Sequence, residues 1–131
     1  MVNNKMTDYQ NYALLQKIEI NSRRHKNYFY LNTHNTDLHE NTKFFVYKIL
    51  RKLGFDVWVE AKLIQSKGIP DVIAIKDKKA FIIEVLHSES IKLGKKSNPK
   101  KIKYPSEFEF LELHTNQDTN EIIKKLVDFI S

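Results

Sequence analysis

Two carboxylates in this chain stand where a charge is costly. Asp71 follows Pro70 at the head of the apolar run Val72–Ile75, and Glu84 sits inside the apolar run Phe81–Leu86. A buried carboxylate loses its hydration unless a cation or hydrogen bonds replace it. The two runs are separated by Asp77-Lys78-Lys79, which reads as the tight turn of a β-hairpin and brings both acids to neighbouring strands. Two carboxylates held side by side repel each other and form a seat for a divalent cation with oxygen ligands. Plainer readings are that Asp71 is turn chemistry after Pro70, and that Glu84 pairs with Lys62.

The surrounding pattern supplies elements to position these acids. Thr36 to Gly54 reads as a helix, with Thr36 as cap, Asp37 and Glu40 in the first turn and Arg51 and Lys52 in the last. Leu38, Phe45, Val46, Ile49, Leu50 and Leu53 recur at helical spacing, and Gly54 ends the run. Phe55 to Ile64 alternates as a strand, with Val57, Val59, Ala61 and Leu63 on one face and Trp58, Glu60 and Lys62 on the other. Gln65-Ser66-Lys67-Gly68 turns into the Asp71 strand. After the hairpin, Ser88 to Leu93 predicts a short helix. A basic stretch follows, carrying Lys92, Lys95, Lys96, Lys100, Lys101 and Lys103. Glu107 to His114 reads as a strand, and a closing amphipathic helix is capped by Asp118 or Thr119.

Residues 1–35 form an N-terminal basic and aromatic extension to an α/β domain over 36–131. Tyr9 to Ile20 has the makings of a short helix, and Tyr28 to Leu31 the residue types of a strand. Arg23-Arg24-His25-Lys26 precedes those aromatics, a mixture that suits phosphate tracking and base stacking, though a solvated turn before a packed strand is the plainer reading. His39 and Glu40 are sequence neighbours expected on different helix faces, which argues against a shared zinc site.

Composition narrows the function classes. The 131 residues suit one domain with a single core, and 41% hydrophobic with 11% aromatic residues is globular composition. A net charge of +6 favours an acidic polymer as partner. With no cysteine, thiolate zinc sites, disulfide scaffolds and thiol catalysis are excluded, and three scattered glycines leave no P-loop or dinucleotide fingerprint. No apolar run approaches the roughly twenty residues of a membrane span, and MVNNKMTDYQ has no signal-peptide character. The expectation is a soluble, intracellular, cytoplasmic protein with no membrane partner.

Pro70-Asp71, a strand, a tight turn, and an apolar strand carrying Glu84 resemble the core of the PD-(D/E)xK nuclease superfamily. With Glu40 in the first helix and the Ser66-Lys67-Gly68 turn before Pro70-Asp71, the pattern is most similar to the archaeal Holliday-junction resolvase branch. The resemblance spans Asp37 to Leu113. It implies a restriction-endonuclease-like fold: a central mixed four-stranded sheet flanked by helices in the order α-β-β-β-α-β, with an N-terminal extension and a C-terminal helix. It further implies a Mg²⁺- or Mn²⁺-dependent endonuclease acting on double-stranded or branched DNA, and a homodimer. Asp71, Glu84 and the Val85 carbonyl would hold the metal, with Glu40 reaching it directly or through water. The family's lysine falls two residues after its second acid, where this chain has Leu86. Lys67, Lys62 or Lys92 would then supply the cation, with Lys67 the first choice; otherwise the metals act alone, or the fold is an inactive DNA-binding or recombination accessory module. Lys92, Lys95, Lys96, Lys100, Lys101, Arg23 and Arg24 are the expected phosphate contacts.

Overall fold

The computed structural model describes residues 18–19, 25–63, 69–86 and 107–131. Helix α1 (Asp37–Lys52) starts where the sequence places it: the Thr36 hydroxyl accepts the His39 N–H at 3.2 Å. Asp37 and Glu40 face the positive end of the helix dipole, and Arg51 and Lys52 the negative end. Gly54, at φ +90°, takes the left-handed turn that ends the helix. The inward stripe differs from the expected one. It runs through His39, Lys43, Val46 and Leu50, while Leu38 and Leu53 are exposed.

Beside α1 lies a mixed four-stranded sheet of β2 (Asp56–Val59), β4 (Val72–Lys76), β5 (Lys79–Leu86) and β6 (Glu109–His114), in the order β2-β4-β5-β6. β2, β4 and β5 are antiparallel neighbours, and β6 runs parallel to β5. A second, two-stranded sheet pairs β1 (Ile18–Glu19) with β3 (Lys62–Leu63). Asp77 and Lys78, at φ 47° and 73°, form the turn between β4 and β5, with the two left-handed residues of the primed hairpin turn. Helix α2 (Thr119–Ile130) is capped by Asp118, whose carboxylate accepts the Glu121 N–H at 2.8 Å.

The sheet divides the core in two. On one face Val57, Val59, Val72, Ala74, Phe81, Ile83 and Leu113 pack against Val46 and Leu50 of α1 and Ile122 and Leu126 of α2. On the other, Trp58, Ile73, Ile75, Ala80, Ile82 and Phe108 pack with Ala61 and Leu63. Each fully buried aliphatic side chain contributes about 1.5–3 kcal/mol, so both layers hold the sheet rigid.

Three further sequence expectations change. The strand expected from Phe55 to Ile64 is broken at Glu60, whose φ of 53° is left-handed. That one residue shifts the alternation, so Ala61 and Leu63 join the Trp58 side instead of following Val57 and Val59. Tyr28–Leu31 is not a strand: Asn27 makes the backbone bond to β2, donating its N–H to Val57 O at 2.7 Å. Ile18, expected on a helix, belongs to β1. The helix expected from Ser88 and the basic stretch Lys92–Lys103 lie outside the described residues. Among those described, no helix is long and apolar enough to cross a membrane.

Candidate functional site

The two β-strands of the hairpin differ in reach. Val72 pairs with Ile83, so Glu84, Val85 and Leu86 continue past the head of β4. Val85 turns the same backbone edge toward β4 as Ile83 does, one step beyond the last paired residue. Asp71 fills that step, its Oδ2 accepting the Val85 N–H at 2.8 Å. In return the Asp71 N–H donates to Glu84 Oε2 at 3.1 Å. Asp71 and Glu84 therefore stand side by side, Glu84 fully buried and Asp71 partly open to solvent.

Helix α1 brings three more charges to this corner. His39 Nε2 lies 3.0 Å from Val85 O and 3.6 Å from Asp71 Oδ2, and its Nδ1 lies 3.1 Å from Glu40 Oε2. Both ring nitrogens thus face acceptor oxygens, an arrangement that favours the doubly protonated imidazolium. Burial alone pushes the His39 pKa down, but the hydrogen bond and charge of Asp71 and the bond to Glu40 outweigh it and raise it above 6.5. For Asp71 the balance is the mirror image. Burial favours the neutral acid, yet the bonds to His39, Glu84 and the Val85 N–H hold its carboxyl below the usual range.

Glu40 and Lys43 complete the arrangement. Lys43 is wholly buried, its Nζ 2.8 Å from Glu40 Oε2 and in direct contact with Glu60 Oε2. Glu40 also accepts the Asn32 N–H at 2.7 Å and the Asn35 side-chain amide at 2.9 Å. Against the cost of burial, these donors, with Lys43 and His39, hold its pKa at about 2. Asn32 further donates to Glu60 at 3.3 Å. The left-handed backbone of Glu60, a conformation costing of order 1 kcal/mol or more, aims its carboxylate at Lys43. From Glu60 through Lys43, Glu40 and His39 to Asp71, negative and positive side chains alternate, each touching the next.

Of the sequence-predicted site residues, Asp71, Glu84 and Val85 are brought together, and Glu40 is joined to them only through the His39 ring. Lys67, Lys92, Lys95, Lys96, Lys100, Lys101, Arg23 and Arg24 lie outside the described residues. Lys62 is exposed on β3, opposite Glu19 in register. Leu86 shares a sheet face with Glu84 and is half-buried; on the adjacent β6, Glu112 lies opposite Glu84 on the same face. His39 and Glu40, expected to diverge, meet side to side. Sequence reasoning missed His39, Lys43 and Glu60 as parts of the site. One signal was present: Lys43 stands at helical spacing from Glu40, Val46 and Leu50, a charge on the inward stripe.

Chemically, the corner offers oxygen donors of hard character, the Asp71 and Glu84 carboxylates and the Val85 carbonyl, which suit a divalent cation. Two of those oxygens now hold the His39 ring. Among the described residues, no group of three or more His, Asp or Glu side chains is spaced to hold a metal as it stands. No protein-family model, curated protein or solved structure matches the chain.

Proposed function

We propose that the chain is a metal-dependent endonuclease of the PD-(D/E)xK type, hydrolysing phosphodiester bonds in DNA. The observation that carries this reading is the meeting of Asp71, Glu84 and the Val85 backbone at the splayed end of β4 and β5. Elsewhere along the sheet these strands bury only apolar side chains, which supports reading the pair of acids here as held for chemistry. The donor set of Asp71, Glu84 and the Val85 carbonyl fits Mg²⁺ or Mn²⁺, which when bound would activate a water and stabilise charge on the phosphoryl oxygens. The chain's own groups do the rest. Asp71, kept anionic by its hydrogen bonds, presents a fixed negative oxygen, and Glu84 orients the Asp71 backbone. Glu40, itself bonded by Lys43, holds the buried His39 ring against the site. Branched DNA is the expected substrate form, on the resolvase resemblance.

A second reading is favoured by one residue. Leu86 occupies the place of the family's lysine and brings no charge to a scissile phosphate. A protein of this fold that binds DNA without cutting it is consistent with that exchange. A nicking assay on plasmid and branched DNA with Mg²⁺, Mn²⁺ or EDTA separates the two. Metal-dependent cleavage by the parent, lost in Glu84→Gln, supports the nuclease; metal-independent binding without cleavage supports the accessory module.

A further inference from the structure

The segment His25–Leu31 is fastened at both ends, and between the fastenings it displays aromatic rings. At one end Asn27 donates its N–H to Val57 O at 2.7 Å and accepts the Val57 N–H on its side chain at 2.8 Å. The Tyr47 hydroxyl bonds Asn27 O at 2.7 Å. At the other end Asn32 donates to Glu40 and Glu60. Phe29 points inward, with its ring 4.8 Å from Phe44 and 5.6 Å from Tyr47. Tyr30 also packs against the core, while Tyr28 stands in solvent. Their rings lie 6.5 Å apart at 28°, and the His25 ring meets Tyr28 edge-on at 5.8 Å. Tyr28 is 61% exposed. A large ring left in water gives little to the core, and backbone anchors on both sides reduce the chain ordering that binding a flat ligand would cost.

Its surroundings identify the ligand. Lys26, two residues before Tyr28 in sequence, is half-exposed and lies 3.9 Å from Asp56, and Lys48 lies over the Phe44 ring, which packs on Phe29, at 5.0 Å. Cations interleaved with exposed aromatics suit a polyanion with flat bases better than an apolar peptide. The display is also joined to the ion network: Tyr30 stands two residues, at most about 7 Å of chain, before Asn32, which bonds Glu40 and Glu60, and that network reaches Asp71 through His39. We infer that Tyr28, with Tyr30 behind it, stacks an unpaired nucleobase of a single-stranded or splayed DNA segment lying beside the acid site. The inference rests on the nucleic-acid reading of that site and adds that its substrate carries unpaired nucleotides.

The experiment is fluorescence anisotropy in EDTA, with a labelled short oligothymidylate and a duplex of matching length, at several salt concentrations. The parent binds the single strand, Tyr28→Ala weakens that binding about tenfold, and Tyr28→Trp keeps it. The loss is the same at every salt concentration, because stacking releases no counterions. Duplex binding is unchanged. Unaltered single-strand binding by Tyr28→Ala overturns the inference and leaves the rings to a protein partner; an equal loss on the duplex also overturns it. Unchanged thermal midpoints, expected for so exposed a side chain, show that the variants are folded. Because no metal is present, the two proposals fail separately. A parent that stacks through Tyr28 but never cuts refutes only the nuclease, and one that cuts but ignores Tyr28→Ala refutes only the stacking site.

Discussion

Val85 donates its backbone N–H to Asp71 Oδ2 at 2.8 Å, so a side chain closes the ladder that β4 leaves open. The same edge of Val85 offers its carbonyl oxygen to His39 Nε2 at 3.0 Å. One residue of β5 thereby links the hairpin acid to the helix cation, and changes in either are felt at the other.

Competition at those oxygens gives the first prediction. The His39 imidazolium and a divalent ion need the Val85 carbonyl and the Asp71 carboxylate alike. His39→Ala should therefore bind Mn²⁺ more tightly than the parent, by about tenfold, in a titration followed by electron paramagnetic resonance. Weaker binding in the variant would make His39 a ligand or a necessary support, not a competitor.

Lys43 tests the buried ion network. Removing one partner of a buried pair strands the others, at a cost of about 3–5 kcal/mol. Lys43→Met leaves the Glu40 and Glu60 carboxylates facing each other and should lose about 3 kcal/mol or more in urea unfolding. Adding Glu60→Gln should recover part of the loss, since contacting residues are not additive. A single variant within about 1 kcal/mol of the parent would show that the contact contributes little.

Acid titration addresses Glu40. Its folded pKa of about 2 lies below its ordinary 4.5, so its stabilisation is present above about 4.5 and is lost as pH falls toward 2. The gap corresponds to about 3 kcal/mol at neutral pH. Glu40→Gln should flatten the fall in stability between pH 5 and 2. His39 acts with the opposite sign: its contribution is full below 6.5 and fades as pH rises through its higher folded value. Identical acid limbs for parent and Glu40→Gln would mean that the network does not depend on this charge.

Leu86→Lys would complete the motif of the nuclease superfamily proposed for the chain. The new cation would share a face with Glu84 and Glu112 while its stem stays half-buried, so the fold should tolerate it. Cleavage should rise about tenfold or more, the scale of one well-placed charge in a transition state. A folded Leu86→Lys that cuts no faster than the parent would show that the site does not lack a lysine there.

Much of this fold was legible because it follows periodicity and caps. Thr36, Gly54 and Asp118 end or begin their helices as their chemistry dictates, and the Asp77-Lys78 turn sets the register that pairs Asp71 with Glu84. What escaped the pattern has local physical causes. Glu60 reverses the facing of a strand by a single left-handed residue, which no alternation rule anticipates. Tyr28–Leu31 has strand-like residues, but its backbone is pinned to β2 through Asn27. Lys43 and His39 did not enter the expected inward stripe because periodicity counts apolar residues, and their burial rests on their carboxylate partners.

The most direct measurement is plasmid and branched-DNA nicking by the parent and by Asp71→Asn, with Mg²⁺ or Mn²⁺ and with EDTA. Asparagine keeps the shape of Asp71 and an oxygen for the Val85 N–H, but removes the charge. The parent should nick only with metal, and Asp71→Asn, with its fold and DNA binding retained, should be slower by about 10²-fold or more. A parent that nicks equally well in EDTA, that binds DNA without nicking it under any condition, or that is matched in rate by Asp71→Asn would contradict the assignment.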